Sequence, residues 1–261
     1  MPEGDNFHRS LLVSVDAKGY SGSTAHWQGR IQTDLLTVLE RAAERAGLSR
    51  STWQLQGAGD GELAVLPPSE PEPRVVDDFA RHLAAELRRH NRDVPKGKEL
   101  RLRLAVHYGP TIAAGNGFAG AGPIAVRRLC DSDAVRMALD SSGAALAVIL
   151  SERVFSETVA QEHTSLEAAM FRKVTVEVKE FAEQAWVWVP DHDINDLDLP
   201  EAPAPPDQPK PADAARPESR RQEVGKIRGN FSHADIRAAK VVGGDEINYH
   251  GTRYRTDDRH P

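Results

Sequence analysis

Two aspartates stand where a predicted strand meets a glycine-rich turn. Asp16 follows the apolar run 11–15, and Asp60 lies in the sequence GAGDG between two further apolar runs. If these strands are neighbours in an antiparallel sheet, both carboxylates lie at one edge of it. Two carboxylates, backbone carbonyls and the phosphates of a substrate are ligands that Mg²⁺ and Mn²⁺ favour. The pair therefore predicts a two-metal site, although a single aspartate in a glycine turn is usually only a turn residue.

The chemistry of such a site is phosphate chemistry. Metal ions held in this way lower the pKa of an attacking hydroxyl and neutralise phosphate charge. The glycines beside both aspartates let a phosphate approach the backbone. The formal net charge of the 261-residue chain is -6, which gives no field that would attract nucleic acid or an acidic membrane. Local positive charge and metal would therefore have to hold a nucleotide substrate.

The elements that position these residues follow from the apolar periodicity. Apolar stripes predict helices over 27–42, 75–87, 133–140 and 151–159, the last capped by Ser151. Short apolar or alternating runs predict strands at 11–15, 53–56, 62–66, 100–107, 145–150, 174–178 and 185–189. This mixture predicts an α+β fold in which helices pack on one face of a mainly antiparallel sheet.

The composition changes after residue 190. We predict a folded domain over 1–190, a disordered linker over 191–225 and a short tail over 226–261. The linker contains seven of the 17 prolines of the chain, which fix φ and remove amide donors. The tail is either disordered or a β-forming interaction segment, which weakly resembles the amyloid-like signalling motifs of bacterial defence proteins.

The compartment is predicted from cysteine content and hydropathy. The single cysteine, Cys130, cannot form an intramolecular disulfide, which suits a reducing environment. The N-terminus has no apolar signal core, and no run of about 18 apolar residues is present. We therefore expect a cytoplasmic protein with no membrane and no nucleic-acid partner.

Five segments in order resemble the class III nucleotidyl cyclases, the family of adenylyl and guanylyl cyclase catalytic domains. They are LLVSVDAKGYSG, LQGAGDGELAVL, LRLAVHYGPTIAAG, GFAGAGPIAVRRLCDS and VTVEVKEFAEQAWVWVP, and together they extend from about residue 11 to residue 190. The resemblance implies a ferredoxin-like cyclase homology domain that converts a nucleoside triphosphate into a 3′,5′-cyclic mononucleotide and pyrophosphate. It also implies a homodimer in which the aspartates of one subunit and an arginine of the other share each site.

The resemblance assigns roles to particular residues. Asp16, Asp60 and the carbonyl of Ala17 would hold two Mn²⁺ or Mg²⁺ ions per site. The substrate-binding residues would be Lys18, Gly19, Tyr20 and Ser21 for the triphosphate, through their amides, and Gln56 for the base. Arg128 would stabilise charge at the α-phosphate, and Lys179 would contact the β- and γ-phosphates. From the residues alone, Arg128 is equally an exposed basic neighbour of Arg127, and Lys179 a solvated strand residue.

Two positions depart from the family pattern. Ile124 stands where the family has a ribose-orienting Asn, and Gln56 stands where adenylyl cyclases have Lys and guanylyl cyclases have Glu. An amide both donates and accepts hydrogen bonds, and the size of the chain resembles that of the bacterial pyrimidine cyclases. We therefore predict a cUMP or cCMP product in antiviral defence. Two alternatives remain, a catalytically impaired nucleotide-sensing module coupled to a partner through the tail and a polymerase-like palm domain.

Overall fold

Strand β1 (His8–Ala17) is buried on both faces along most of its length, so it needs strands on both sides and helices above and below. The computed structural model describes residues 7–178 and 181–199, which belong to one unit. The other strands are β2 (Gln54–Gly57), β3 (Gly61–Val65), β4 (Leu102–Ala114), β5 (Gly117–Ala119), β6 (Leu146–Ser151), β7 (Arg172–Val178) and β8 (Phe181–Trp188). The helices are α1 (Ala25–Arg45), α2 (Glu72–Arg74), α3 (Ala80–Asn91), α4 (Ala121–Cys130), α5 (Asp133–Ser142) and α6 (Glu152–Thr158).

The sheet has the order β2-β3-β1-β4-β6-β8-β7, and the short β5 pairs with β4. All of these pairs are antiparallel except β4 with β6. In this register Asp16 lies between Gly61 on β3 and Arg103 on β4. The predicted α+β class with a mainly antiparallel sheet is confirmed.

Helices cover both faces of the sheet, whereas the sequence analysis placed them on one face. Helices α1, α3 and α6 share one core with Leu104 and Val106 of β4. Helices α4 and α5 share a second core with Ala105, the residue between them on the strand. Successive strand side chains point to opposite faces, so a strand in which three consecutive residues are buried must be covered on both sides. The prediction of a single helical layer was wrong for that reason.

The predicted elements are present, with small changes at their ends. Gly47 ends α1 with a φ of +66°, the left-handed conformation that glycine adopts without strain. The second predicted helix is α2 and α3 joined by a π-helical segment, Val75–Phe79. Ser151 precedes α6 as expected, but its side chain makes no capping hydrogen bond.

The ordered fold extends beyond the predicted boundary at residue 190. A short 3₁₀ turn, Ile194–Asp196, follows β8, and Ile194, Leu197 and Leu199 are buried in the second core. The rest of the predicted linker and the predicted tail motif lie outside the described residues. None of the helices in the described residues has both the length and the apolar character needed to cross a bilayer.

We predict that Gly61→Ala destabilises the fold, because a Cβ there would lie 2.3 Å from the carbonyl oxygen of Val15. Overpacking of this kind costs about 1–3 kcal/mol, measured as a change in the free energy of unfolding by urea. Gly57 is the control, since a Cβ there meets nothing within 4 Å. Gly57→Ala should change stability by less than about 0.5 kcal/mol. Equal stability of the two variants would contradict the close β1–β3 approach.

Candidate active site

The pairing of β1 with β3 brings the two predicted metal ligands together. The amide of Ala17 donates to the carbonyl oxygen of Asp60 at 2.8 Å, so the residue after Asp16 is bonded directly to the turn that carries Asp60. The turn is closed by a bond from the amide of Ala58 to the carbonyl of Gly61, at 2.9 Å. Gly59 has a φ of +73°, which lets the chain reverse there.

Both aspartates line one small cleft of about 270 Å³ between the ends of β1 and β3 and the end of α4. Glu62, Arg127 and Asp131 line it as well. The cleft is therefore strongly polar, with acidic groups from three elements and a cation from the helix. A pocket of this composition suits a charged ligand or an ion better than an apolar molecule.

Arg103 is a site residue that the sequence analysis missed. It lies opposite Asp16 on β4, is 8% exposed, and donates from Nη2 to Asp16 Oδ2. Asp131 Oδ1 lies 3.8 Å from the same nitrogen. Burial lowers the pKa of the Arg103 guanidinium from its ordinary value, although an arginine remains charged at neutral pH. In the sequence, Arg103 alternates with Arg101 along the predicted strand 100–107, so no local signal distinguished it.

Glu62 is a third carboxylate at the cleft, and it is already paired. The Arg50 guanidinium donates to both Glu62 oxygens, at 2.8 and 2.7 Å. Both side chains are buried, with 5% and 6% exposure. A buried bidentate pair of this kind is costly to break, so Glu62 is not available as a metal ligand. It anchors β3 just after the turn that carries Asp60.

The carboxylates at the cleft supply only part of the ligands that a divalent cation needs. Within the described residues there is no group of three or more His, Cys, Asp or Glu side chains placed to hold a metal. Asp16 and Asp60 would supply two carboxylates to such an ion, and carbonyl oxygens, water and substrate oxygens would supply the rest. Hard cations such as Mg²⁺ are often held in this partial way, by one or two carboxylates and the phosphates of a substrate.

The loop after Asp16 keeps three of its four predicted amides accessible. The amide of Lys18 donates to the carbonyl of Arg101 at 2.9 Å, and its ammonium group is paired with Asp140. The Lys18 amide is thus bonded to the chain just before β4, and the predicted contact of Lys18 with phosphate stays a prediction. The amides of Gly19, Tyr20 and Ser21 have no hydrogen-bond acceptor among the described residues.

Tyr20 connects this loop to the Asp60 turn. Gln32 of α1 donates to the Tyr20 hydroxyl at 2.6 Å. A Cβ added to Gly59 would lie 3.6 Å from the same hydroxyl. The two loops that flank the cleft are therefore in contact through one side chain, and α1 fixes its position.

Helix α4 directs its two arginines to different places. Arg127 lines the cleft of its own chain, whereas the Arg128 guanidinium lies 5.6 Å from the ring centre of Phe181 on β8. Arg128 is not among the cleft-lining residues of its own chain. Ile124, at the start of the same helix, is 51% exposed. Lys179 lies outside the described residues.

Gln56 lies on β2 and faces the β4–β5 hairpin. Its side-chain amide donates to the carbonyl of Asn116 at 3.2 Å. Gly117 packs so closely on it that a Cβ there would lie 2.4 Å from the Gln56 side chain. The structure therefore places Gln56 beside this hairpin, and its carbonyl oxygen is left to accept a hydrogen bond.

Comparison with known proteins identifies the fold. No family model and no curated protein matches the chain. The crystal structure of the guanylyl cyclase Cya2 is similar with a TM-score of 0.50 and 14% identity, over 76% of this chain and 100% of that one. A bacterial light-regulated adenylyl cyclase is similar with a TM-score of 0.51 and 12% identity, over 76% of this chain and 55% of that one.

The fold is that of cyclase catalytic domains. At 12–14% sequence identity, the similarity concerns the fold alone. It confirms the class III cyclase homology fold that the five sequence segments imply. The chemistry of the site has to be argued from the residues of this chain.

We predict that Cys130, which lines the cleft, is inert in the folded protein. Burial raises the pKa of its thiol to about 12, so only about one molecule in ten thousand carries a thiolate at pH 8. Iodoacetamide should label it in urea and not under native conditions, as measured by mass spectrometry. Ser51→Cys, at an exposed position, supplies a reactive thiol as the positive control. Rapid native labelling of Cys130 would contradict the packing of α4 on β1.

Proposed function

We propose that the protein is a nucleotidyl cyclase, which converts a nucleoside triphosphate into a 3′,5′-cyclic mononucleotide and pyrophosphate. The observation that carries the proposal is the cleft, in which Asp16 and Asp60 meet beside the buried Arg103. This arrangement occurs in a fold shared with two solved cyclase structures. Carboxylates for metal and an arginine for phosphate are what a phosphoryl transfer requires.

Two divalent cations, Mn²⁺ or Mg²⁺, would be held by Asp16, Asp60 and the carbonyl of Ala17. When bound, they would lower the pKa of the attacking hydroxyl and neutralise phosphate charge. Arg103 has a complementary role in this proposal. Its guanidinium holds Asp16 in the absence of substrate and would donate to a phosphate oxygen when Asp16 turned to a metal ion.

The other groups would position the triphosphate. The amides of Gly19, Tyr20 and Ser21 would donate to its oxygens, as backbone amides of glycine-rich loops do in other phosphate sites. Lys18 would contribute positive charge if it left Asp140, and Lys179 would contact the β- and γ-phosphates. The ribose 3′-oxygen would then attack the α-phosphorus in line, and pyrophosphate would leave.

The active unit in this proposal is a homodimer with shared sites. Support comes from the different directions of Arg127 and Arg128 on α4. Since Arg128 does not line the cleft of its own chain, it would stabilise the charge at the α-phosphate in the cleft of a second copy. Arg127 would instead add positive charge to the cleft of its own chain.

The proposal also names the base of the substrate, which we take to be a pyrimidine. The cyclic product would act as a second messenger in antiviral defence. The amide of Gln56 donates to Asn116, which leaves its carbonyl oxygen to accept from a base. Uracil offers the N3 hydrogen and cytosine the N4 amino group as donors, but adenine and guanine also carry amino donors, so this bond alone does not select a pyrimidine. The preference rests instead on the residue type at position 56, where neither the lysine of adenylyl cyclases nor the glutamate of guanylyl cyclases is present.

The test is to incubate the protein with Mn²⁺ and ATP, GTP, CTP or UTP separately and to identify products by mass spectrometry. We expect one cyclic nucleotide, formed from UTP or CTP. Asp60→Asn should lower its rate by at least about a hundredfold, because a charged metal ligand is lost. Asp93→Asn removes the same charge at an exposed loop position and should have no effect. The absence of product from all four nucleotides would favour a nucleotide-sensing module instead.

Mixing two inactive variants tests whether each active site is shared between two subunits. Asp60→Asn and Arg128→Ala should each be inactive alone. A heterodimer of the two has one cleft with both defects and one with none, so an equal mixture should recover about a quarter of the wild-type rate. Recovery should require subunit exchange and be absent when Asp16→Asn is mixed with Asp60→Asn, which impair the same half of the site. No recovery in the first mixture would place Arg128 and the aspartates of one chain in one site.

A further inference from the structure

A notch interrupts the sheet at the carboxyl end of β6. The pairing of β6 with β4 ends at Leu150 and Val106, and its pairing with β8 ends at Ser151 and Ala185. Strand β4 continues to Ala114, and β8 begins at Phe181. The two outer strands therefore continue past the end of the middle one, which leaves a space of about 500 Å³ between them. This is the position in a sheet where ligands commonly bind in α/β proteins.

The floor of the notch carries two polar groups with no partner. Ser151 is 2% exposed, and its hydroxyl makes no hydrogen bond. His107 lies beside it at the same level of the neighbouring strand, and its buried Nδ1 also has no partner. Both side chains line the notch. Buried polar groups are almost always satisfied in native proteins, so two neighbouring exceptions in one cavity indicate a bound polar group.

The charges around the notch favour an uncharged ligand. Burial and the nearby charges of Arg153 and Arg9 lower the pKa of His107 to about 4, so its ring is neutral at pH 7 and Nδ1 can accept a hydrogen bond. Two of the three charged lining residues are paired with groups outside the notch. Arg153 is 3.1 Å from Glu157, and Glu152 is 3.3 Å from Lys173. A cation at the floor would face Arg153 and Arg9, whose charges add to burial in lowering the pKa of His107.

One aromatic side chain, that of Tyr108, lines the notch, and the guanidinium of Arg153 lies 4.5 Å from its ring centre. A gap left by one strand is two strand spacings wide, or roughly 10 Å, which admits a flat ring. Glu183 lines the notch from β8 and is exposed to solvent. It offers a further acceptor at the rim.

We propose that the notch binds a small, flat, uncharged molecule with an amide or amino N–H group, which donates to His107 Nδ1 and Ser151 Oγ. The class includes aromatic carboxamides and amino-substituted heterocycles. The site lies in the middle of β4, about four residues along the strand from Arg103 at the Asp16 cleft, and is independent of the proposed cyclase activity. Its two floor groups belong to adjacent parallel strands, so their spacing is fixed by the sheet.

Three probes of one shape test the proposal by calorimetry or by NMR of the histidine ring nitrogens. Benzamide carries the uncharged N–H group, acetophenone has a methyl group in its place, and benzamidine is a cation. We expect benzamide to bind about three- to tenfold more tightly than acetophenone, the gain of one or two neutral hydrogen bonds. We also expect it to bind more tightly than benzamidine. Tighter binding of benzamidine would overturn the proposal in favour of a cation site.

Two serines on the notch give a matched pair of variants. Ser151→Ala should remove the preference for benzamide over acetophenone. Ser156 also lines the notch, but its hydroxyl already donates to the carbonyl of Arg153 at 3.0 Å, so Ser156→Ala should keep the preference. Thermal unfolding of both variants shows whether they are folded. Equal binding of benzamide and acetophenone to the wild-type protein, or a preference that survives Ser151→Ala, would show that the floor groups bind only water.

Discussion

The ion pair between Asp16 and Arg103 joins the two central strands at the point where the site begins. Asp16 has two neighbours across the sheet, Arg103 on β4 and Gly61 on β3. The arginine neutralises the carboxylate on one side, and the glycine lets β3 pack closely on the other. A side chain at residue 61 would collide with the carbonyl oxygen of Val15, so this glycine is what allows the two strands, and with them Asp16 and Asp60, to come together.

Charge pairing decides which acidic groups at the cleft can act. Glu62 is occupied by Arg50 in a buried bidentate contact, and breaking such a pair costs about 3–5 kcal/mol. Asp131 is shared between Arg103 and Arg136. Asp60 has no ion-pair partner among the described residues. Of the four carboxylates at the cleft, Asp60 is thus the one that an ion can approach without breaking an existing pair, whereas Asp16 is paired with the single guanidinium of Arg103.

The sequence predicted the fold and the aspartate pair because both depend on local patterns. Apolar periodicity and glycine turns are visible in short windows, and the β2–β3 hairpin then places Asp60 beside β1. Arg103 was missed because its importance depends on register, the fact that it lies opposite Asp16, and register is a long-range property. The two helical layers and the burial of Ile194 were missed for a similar reason. Each depends on packing against residues that are distant in the sequence, which a short stretch of sequence does not show. The different directions of Arg127 and Arg128 follow from helix phase, which the resemblance alone did not supply.

The proposed function also has an electrostatic consequence, because metal ions and nucleotide bring opposite charges into the cleft. Asp16, Asp60 and Arg103 together carry a net charge close to that of a single carboxylate. Two divalent cations and a fully ionised nucleoside triphosphate carry equal and opposite charges, so their joint entry leaves the net charge of the cleft unchanged. Metal alone would make it strongly positive beside a buried arginine, and nucleotide alone strongly negative beside two aspartates, and both states are electrostatically unfavourable. The cleft should therefore favour the metal–nucleotide complex over either component, and Arg103 would then exchange the Asp16 carboxylate for a phosphate oxygen with no change in the net charge of the site.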